Sequence, residues 1–170
     1  MTRLFLLRHS KAGWAEPGMR DFDRPLDATG KADAEAIGKA MHACGYNPEL
    51  ILCSSARRAR ETLDGLFRHF SADHGRVSFM DSLYTEDAYG YLTIIHEYGR
   101  TTPSMLVIGH NPMMEDLAMA ISGDGDDQAR GAMIGGFPTS ALAVIHFNNG
   151  IGEAEPGKGY LEAFFTPADL

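Results

Sequence analysis

The apolar positions of this chain fall in short blocks separated by polar, glycine-rich connections. Leu4 to Leu7 form a continuous apolar run, so Thr2–Leu7 reads as a buried strand. The period then lengthens. Gly30–Cys44 puts Ala32, Ala36, Ile37, Ala40 and Met41 on one helical face, with Thr29 as cap and Gly45 and Pro48 as the stop. Leu50–Cys53 reads as a second strand. Ser54 and Ser55 are N-cap candidates for a helix reaching Phe70, striped by Leu63, Leu66, Phe67 and Phe70. Val77–Met80 is a third strand, and Asp87–Tyr98 a helix with Leu92, Ile95 and His96 spaced for packing. Ser104–Ile108 is a fourth strand, followed by a helix over Pro112–Ile121 with proline in its first turn. Ser122–Gly136 reads as a Gly/Asp loop. Ala141–Phe147 alternates as a strand, Asn148-Asn149-Gly150 turns, and Tyr160–Phe165 is the last strand.

Strands alternating with helices predict an α/β fold. The expected architecture is three-layer αβα, with a mostly parallel central sheet and an antiparallel edge from the last two strands. With 170 residues and no shift in composition, residues 1–170 are expected to form one domain. Lys plus Arg is 15 and Asp plus Glu is 23, a net charge of −8. That acidic balance argues against nucleic-acid and anionic-membrane partners. The N-terminal apolar run is too short for a secretory signal, which needs roughly seven residues. No stretch approaches the roughly 18 apolar residues of a membrane span. A cytoplasmic setting is the expectation, and Cys44 and Cys53 read as two buried free thiols. Nothing in the pattern fixes the oligomeric state.

Three polar clusters stand at the carboxyl ends of predicted strands: Arg8-His9-Ser10, Ser54 to Thr62 with its three arginines, and Gly109-His110-Asn111-Pro112. Ligands of open α/β sheets bind outside those ends, so clusters far apart in sequence can meet in one crevice. An arginine beside a core strand needs an anion, either a carboxylate or a ligand phosphate. Ser10–Thr29 reads as a loop long enough to be functional. Trp14 and Met19 in it are read as lining the pocket mouth or covering the core edge. The remaining histidines, His42, His69, His74, His96 and His146, read as surface or packing residues.

Leu7-Arg8-His9-Ser10-Lys11-Ala12 resembles the signature of the histidine phosphatase superfamily. Ser54-Ser55-Ala56-Arg57-Arg58-Ala59-Arg60-Glu61-Thr62 is similar to its Ser-x-x-x-Arg-Ala-x-x-Thr motif. Gly109-His110-Asn111-Pro112, Asp23-Arg24-Pro25-Leu26 with Thr29-Gly30, and Phe137-Pro138-Thr139-Ser140 resemble the SixA-type phosphohistidine phosphatase branch. The resemblance runs nearly the whole length of the chain, with its motifs in order. It implies a phosphoglycerate-mutase-like fold and a phosphatase that passes through a phosphohistidine intermediate on the enzyme.

By this resemblance His9 is the nucleophile, and Arg8, Arg58 and His110 form the phosphate cage. His110 is expected to act as a cationic donor in the transition state. Arg57 and Arg60 are expected to be peripheral. Ser10 and Arg24 are further substrate-contact candidates, Arg24 competing with an ion pair to Asp21 or Asp27. Arginines forking onto equatorial oxygens stabilise the charge that shifts in transfer, and a neutral imidazole attacks in line. The sequence has no HExxH, zinc-type Cys/His spacing or GxxxxGK[ST] loop, so no metal and no cofactor are expected.

Alkyl phosphates need a general acid. The candidates are Glu86, Asp21, Asp23 and Glu16, with Glu86 placed roughly where mutase-like relatives carry theirs. The SixA-type branch is expected to lack one, which suits a phosphoramidate. The expected partner is therefore a protein carrying phosphohistidine. Alternatives are a small phosphate ester, or a non-catalytic module that binds phosphorylated proteins.

Overall fold

The computed structural model describes residues 2–69 and 76–170. Among them stands a seven-stranded sheet flanked by helices on both faces. Strand β1 (Thr2–Arg8) is followed by helix α1 (Ala28–Ala43), β2 (Leu50–Ser54), α2 (Arg57–Phe67) and β3 (Arg76–Met80). Next come a one-turn helix α3 (Ser82–Thr85), α4 (Ala88–Gly99), β4 (Ser104–Gly109) and α5 (Met113–Ile121). The chain ends with β5 (Ser122–Gly125), α6 (Asp127–Ile134), β6 (Leu142–Phe147) and β7 (Gly159–Phe165). The strand order is β3-β2-β4-β1-β6-β7-β5.

The alternation of β1 builds both halves of the core, because successive side chains of a strand face opposite sides. Leu4 and Leu6 pack under α4, α5 and α6, with Tyr91, Ile95, Met114, Leu117 and Met133. Phe5 and Leu7 pack under α1 and α2, with Ile37, Met41, Leu63 and Leu66. This is the expected three-layer arrangement. β1 runs parallel to β4, which runs parallel to β2, while β6 is antiparallel to both β1 and β7.

Ser122–Gly136, expected to be loop, instead holds β5 and α6. β5 pairs parallel to β7 and forms the sheet edge, so the antiparallel strands β6 and β7 lie inside that edge. Helix α1 starts two residues earlier than expected and is capped by Asp27, whose Oδ1 accepts from the Gly30 N–H at 2.7 Å, and not by Thr29. Its buried face is Gly30, Ala34, Ile37, Gly38 and Met41, whereas Ala32 is exposed. Gly30 is required there, because a Cβ would fall 2.0 Å from the Lys11 carbonyl oxygen. Helix α2 has Ala56 at its N-cap and no side-chain cap from Ser54 or Ser55. Phe67 is exposed, and the expected extension to Phe70, like His74, lies outside the described residues. Cys53 is buried, but Cys44 is exposed. Trp14 is 93% exposed, so it covers no core edge. Among the described residues, no helix is long and apolar enough to cross a membrane.

Candidate active site

The crevice follows from the strand order. From β1 the chain crosses one sheet face through α1, and from β4 it crosses the other through α5. These two strands are neighbours, with Arg8 in register with Gly109. Their carboxyl ends therefore open side by side at a topological switch point. The next residues are His9 and His110, and their rings lie 5.0 Å apart.

Backbone and side-chain bonds hold His9 from several sides. Its N–H donates to the Gly109 carbonyl at 3.0 Å. Its Nδ1 lies 2.7 Å from the Ser10 carbonyl, which can only accept, so Nδ1 carries the proton and Nε2 keeps its lone pair. Arg58 Nε donates to that Nε2 at 3.4 Å. Burial, joined by the neighbouring His110, Arg58 and Arg8, drops the His9 pKa to about 3. His9 is thus a neutral imidazole at physiological pH.

Ser10, an expected substrate contact, is fully buried and braces the turn instead. Its N–H donates to Thr62 Oγ1 at 2.9 Å, and its hydroxyl accepts from Ser140 Oγ at 2.6 Å. Thr62 also donates to the Arg58 carbonyl at 2.7 Å, one helical turn back. The Arg-x-x-x-Thr spacing therefore ties the end of β1 to the first turn of α2. Ser140 adopts φ 64°, and its N–H is shared by the Arg8 and His9 carbonyls.

Arg58 is buried in the crevice. Arg57 beside it is half-exposed and paired to Glu61 at 2.9 Å, and Arg60 is exposed. Arg8 Nη1 donates to the Phe137 carbonyl at 3.1 Å, and its buried Nε meets no acceptor among the described residues. Such a donor asks for an anion. Burial also lowers the Arg8 pKa.

His110 Nε2 lies 2.8 Å from Ser54 Oγ, and its Nδ1 lies 3.4 Å from Arg58 Nη2. Arg58 can only donate, so Nδ1 is the acceptor and Nε2–H donates to Ser54. The His110 N–H donates to the Tyr91 hydroxyl at 3.2 Å. Gly109 leaves room for that hydroxyl, since a Cβ there would sit 2.7 Å from it. Burial and then Arg58 push the His110 pKa down to about 4. In the free protein His110 is therefore neutral, and it can donate to an anion through Nδ1 only after gaining a proton.

Anion binding is thus expected to take up about one proton per site near neutral pH, because the bound anion raises the His110 pKa. Tungstate, a tetrahedral dianion, should lose affinity about tenfold per pH unit between the free and bound pKa values. Calorimetry in two buffers of different ionisation enthalpy measures the uptake. His110→Gln should abolish it, and binding without uptake would overturn the cationic role.

Arg24 makes the ion pair to Asp21 that the sequence offered beside a substrate contact. Its Nε donates to the Gly13 carbonyl at 3.0 Å and its Nη1 to Asp21 Oδ1 at 2.9 Å. Asp21 in turn touches Arg58: its carbonyl accepts from Nη1 at 2.9 Å and its Oδ2 from Nη2 at 3.1 Å. Bonds from Arg24 and Tyr84, with the charge of Arg58, hold the Asp21 pKa at about 2. In the free protein Asp21 is therefore ionised at neutral pH. Glu86 is exposed at the end of α3, folded against Gly90. Among the described residues its carboxylate makes no hydrogen bond to Arg8, His9, Arg58 or His110.

The model of the histidine phosphatase superfamily (branch 1) matches residues 4–79. An uncharacterised protein of Mycobacterium tuberculosis is 33% identical over 95% of this chain and 99% of its own length. An uncharacterised chloroplastic protein of Arabidopsis thaliana is 37% identical over 71% of this chain, and the match spans 59% of that relative's length. The crystal structure of a candidate phosphohistidine phosphatase SixA of Agrobacterium tumefaciens is 37% identical, with a TM-score of 0.83 over 98% of both chains. With the motif residues converging on one crevice and relatives matching along almost the full length, the chain belongs to the histidine phosphatase superfamily and is a phosphatase of the histidine-nucleophile class.

Proposed function

We propose that His9 is the nucleophile, that Arg8, Arg58 and His110 bind the phosphoryl oxygens, and that the substrate is phosphohistidine on a protein. His9 Nε2 attacks phosphorus in line, the leaving group departs opposite, and water then hydrolyses the phosphohistidine on the enzyme. Two guanidinium groups and a protonated His110 supply positive charge around the transferring group, so the reaction runs without a metal or cofactor. The net charge of −8 disfavours nucleic-acid and anionic-membrane partners and fits a protein partner.

The observation that carries the substrate class is the state of Asp21. It is the carboxylate bonded to Arg58, and donors from Arg24, Arg58 and Tyr84 hold it as an acceptor. Without a proton donor there, an alkyl phosphate must expel an alkoxide, whereas a protonated phosphoimidazole expels neutral imidazole. The sequence motifs and the likeness to the Agrobacterium tumefaciens structure support the same reading.

The test compares kcat/KM in EDTA for a phosphohistidine-bearing protein and for a sugar phosphate. A preference of about 10²-fold or more for phosphohistidine is expected, the least that a general acid normally contributes. Comparable ester turnover would favour the small-ester reading and make Glu86 the next residue to replace. Inhibition by EDTA would overturn the metal-free reaction. Tungstate binding without turnover of either substrate would favour a phosphoprotein-binding module.

A further inference from the structure

Asp21 poses an electrostatic question that the phosphate cage alone does not answer. A carboxylate bonded to a phosphate-binding arginine opposes the phosphate it is meant to admit. Yet Asp21 is fixed with care. Its Oδ2 accepts from Arg58 Nη2 at 3.1 Å and from the Tyr84 hydroxyl at 2.9 Å, and its Oδ1 accepts from Arg24 Nη1 at 2.9 Å. A carboxylate has about four lone-pair sites. Among the described residues one site on Oδ1 is left, on a side chain that remains 52% exposed. That site is open to a donor brought by a ligand.

Arg58 links this acceptor to the nucleophile. Arg58 runs between the two groups, with Nε toward His9 Nε2 at 3.4 Å and Nη2 toward Asp21. In an in-line transfer the leaving atom lies across phosphorus from His9 Nε2. The guanidinium whose Nε meets the nucleophile thus carries Asp21 on its Nη1 and Nη2, one residue away from the reacting nitrogen.

We propose that Asp21 accepts a hydrogen bond from the second ring nitrogen of the substrate's phosphohistidine and so selects a protonated imidazole as leaving group. This rests on the phosphohistidine reading above. The His9 Nε2 lone pair forms the new N–P bond. The substrate N–P bond breaks, and its electron pair stays on that ring nitrogen. The proton already on the other nitrogen remains there, held by Asp21, so the ring departs as neutral imidazole and not as imidazolate. No further acid or co-reactant is needed. The same negative charge disfavours substrates whose leaving groups are anionic, which converts its cost in phosphate affinity into selectivity.

Asp21→Asn tests this, because the amide oxygen still offers Arg58 and Tyr84 a neutral acceptor. Two substrates are compared: a phosphohistidine-bearing protein, and an aryl phosphate whose nitrophenolate leaves without a proton. The ratio of their kcat/KM values, phosphohistidine over aryl phosphate, is expected to fall by about tenfold or more, the worth of one charge-assisted hydrogen bond. A parallel fall in both, or an unchanged ratio, overturns the proposal, since Asp21 would then only seat Arg58. If the wild-type enzyme turns over the aryl phosphate and ignores phosphohistidine, the substrate reading fails and the role of Asp21 fails with it. If the wild type prefers phosphohistidine and the ratio does not move in the variant, only the role of Asp21 fails.

Discussion

His9→Ala is expected to lower turnover of every substrate by about 10⁴-fold or more while the protein stays folded and still binds tungstate. The effect is large because the proposed mechanism has the imidazole enter the reaction covalently. Its Nδ1–H is fixed on the Ser10 carbonyl at 2.7 Å, which leaves Nε2 aimed into the cage. Its pKa near 3 keeps that nitrogen unprotonated at every physiological pH. A nearby side chain cannot step in: His110 Nε2 is tied to Ser54, and its Nδ1 faces Arg58. The donors of Arg8, Arg58 and His110, proposed above to bind the anion, are untouched by the substitution, so affinity should survive. Rapid acid-free quenching of the wild type with labelled substrate should trap an acid-labile, base-stable phosphoenzyme, and the variant should trap none. Turnover retained above about 1% of wild type, or a phosphoenzyme in the variant, would remove His9 from the nucleophile role.

The meeting of Arg8, His9 and His110 was legible in the sequence because each sits where a strongly patterned strand ends. Leu4 to Leu7 and Met105 to Ile108 are unbroken apolar runs, and their parallel register alone brings Arg8 beside Gly109. Arg58 was separable from Arg57 by its likeness to the Arg-Ala pair of the family motif, and in the structure it lies one helical turn before Thr62, which bonds back to Ser10. The supporting residues left no local signal. Asp21 meets Arg58 across 37 residues, and Tyr84 meets Asp21 across 63. Neither spacing corresponds to a period of helix or strand. Ser54 looks like a helix cap because serine usually serves that way, but its hydroxyl faces both the Ala56 N–H and His110 Nε2. β5 escaped notice because Ser-Gly-Asp-Gly has no apolar alternation, and its pairing to β7 is made by backbone alone. Helix α6 buries only Ala129 and Met133, too little to write a stripe into the sequence.

Arg58→Ala should reduce kcat/KM by about 10³-fold, whereas Arg57→Ala should stay within about threefold of wild type. The two residues are adjacent and chemically identical, so the difference is one of place. Arg57 is half-exposed, and its partner Glu61 already accepts from the Leu26 N–H at 2.9 Å. Its loss removes one exposed ion pair, a small term. Arg58 is buried and reaches His9 Nε2, His110 Nδ1 and Asp21 at once. Alanine there removes the guanidinium that would meet the transferring phosphoryl group. It also strips Asp21 of two of its hydrogen bonds, leaving that carboxylate to repel the incoming anion. The loss should therefore be partly electrostatic repulsion, and the double variant Arg58→Ala/Asp21→Asn should recover some of it on an aryl phosphate. Steady-state kinetics on all four proteins checks this. A large loss from Arg57→Ala with a small one from Arg58→Ala would mean that the motif is displaced by one residue. A double variant no better than Arg58→Ala would mean that Asp21 does not bear on the cage through its charge. The pair of arginines thus tests both the register of α2 and the sign of the field at the mouth of the crevice.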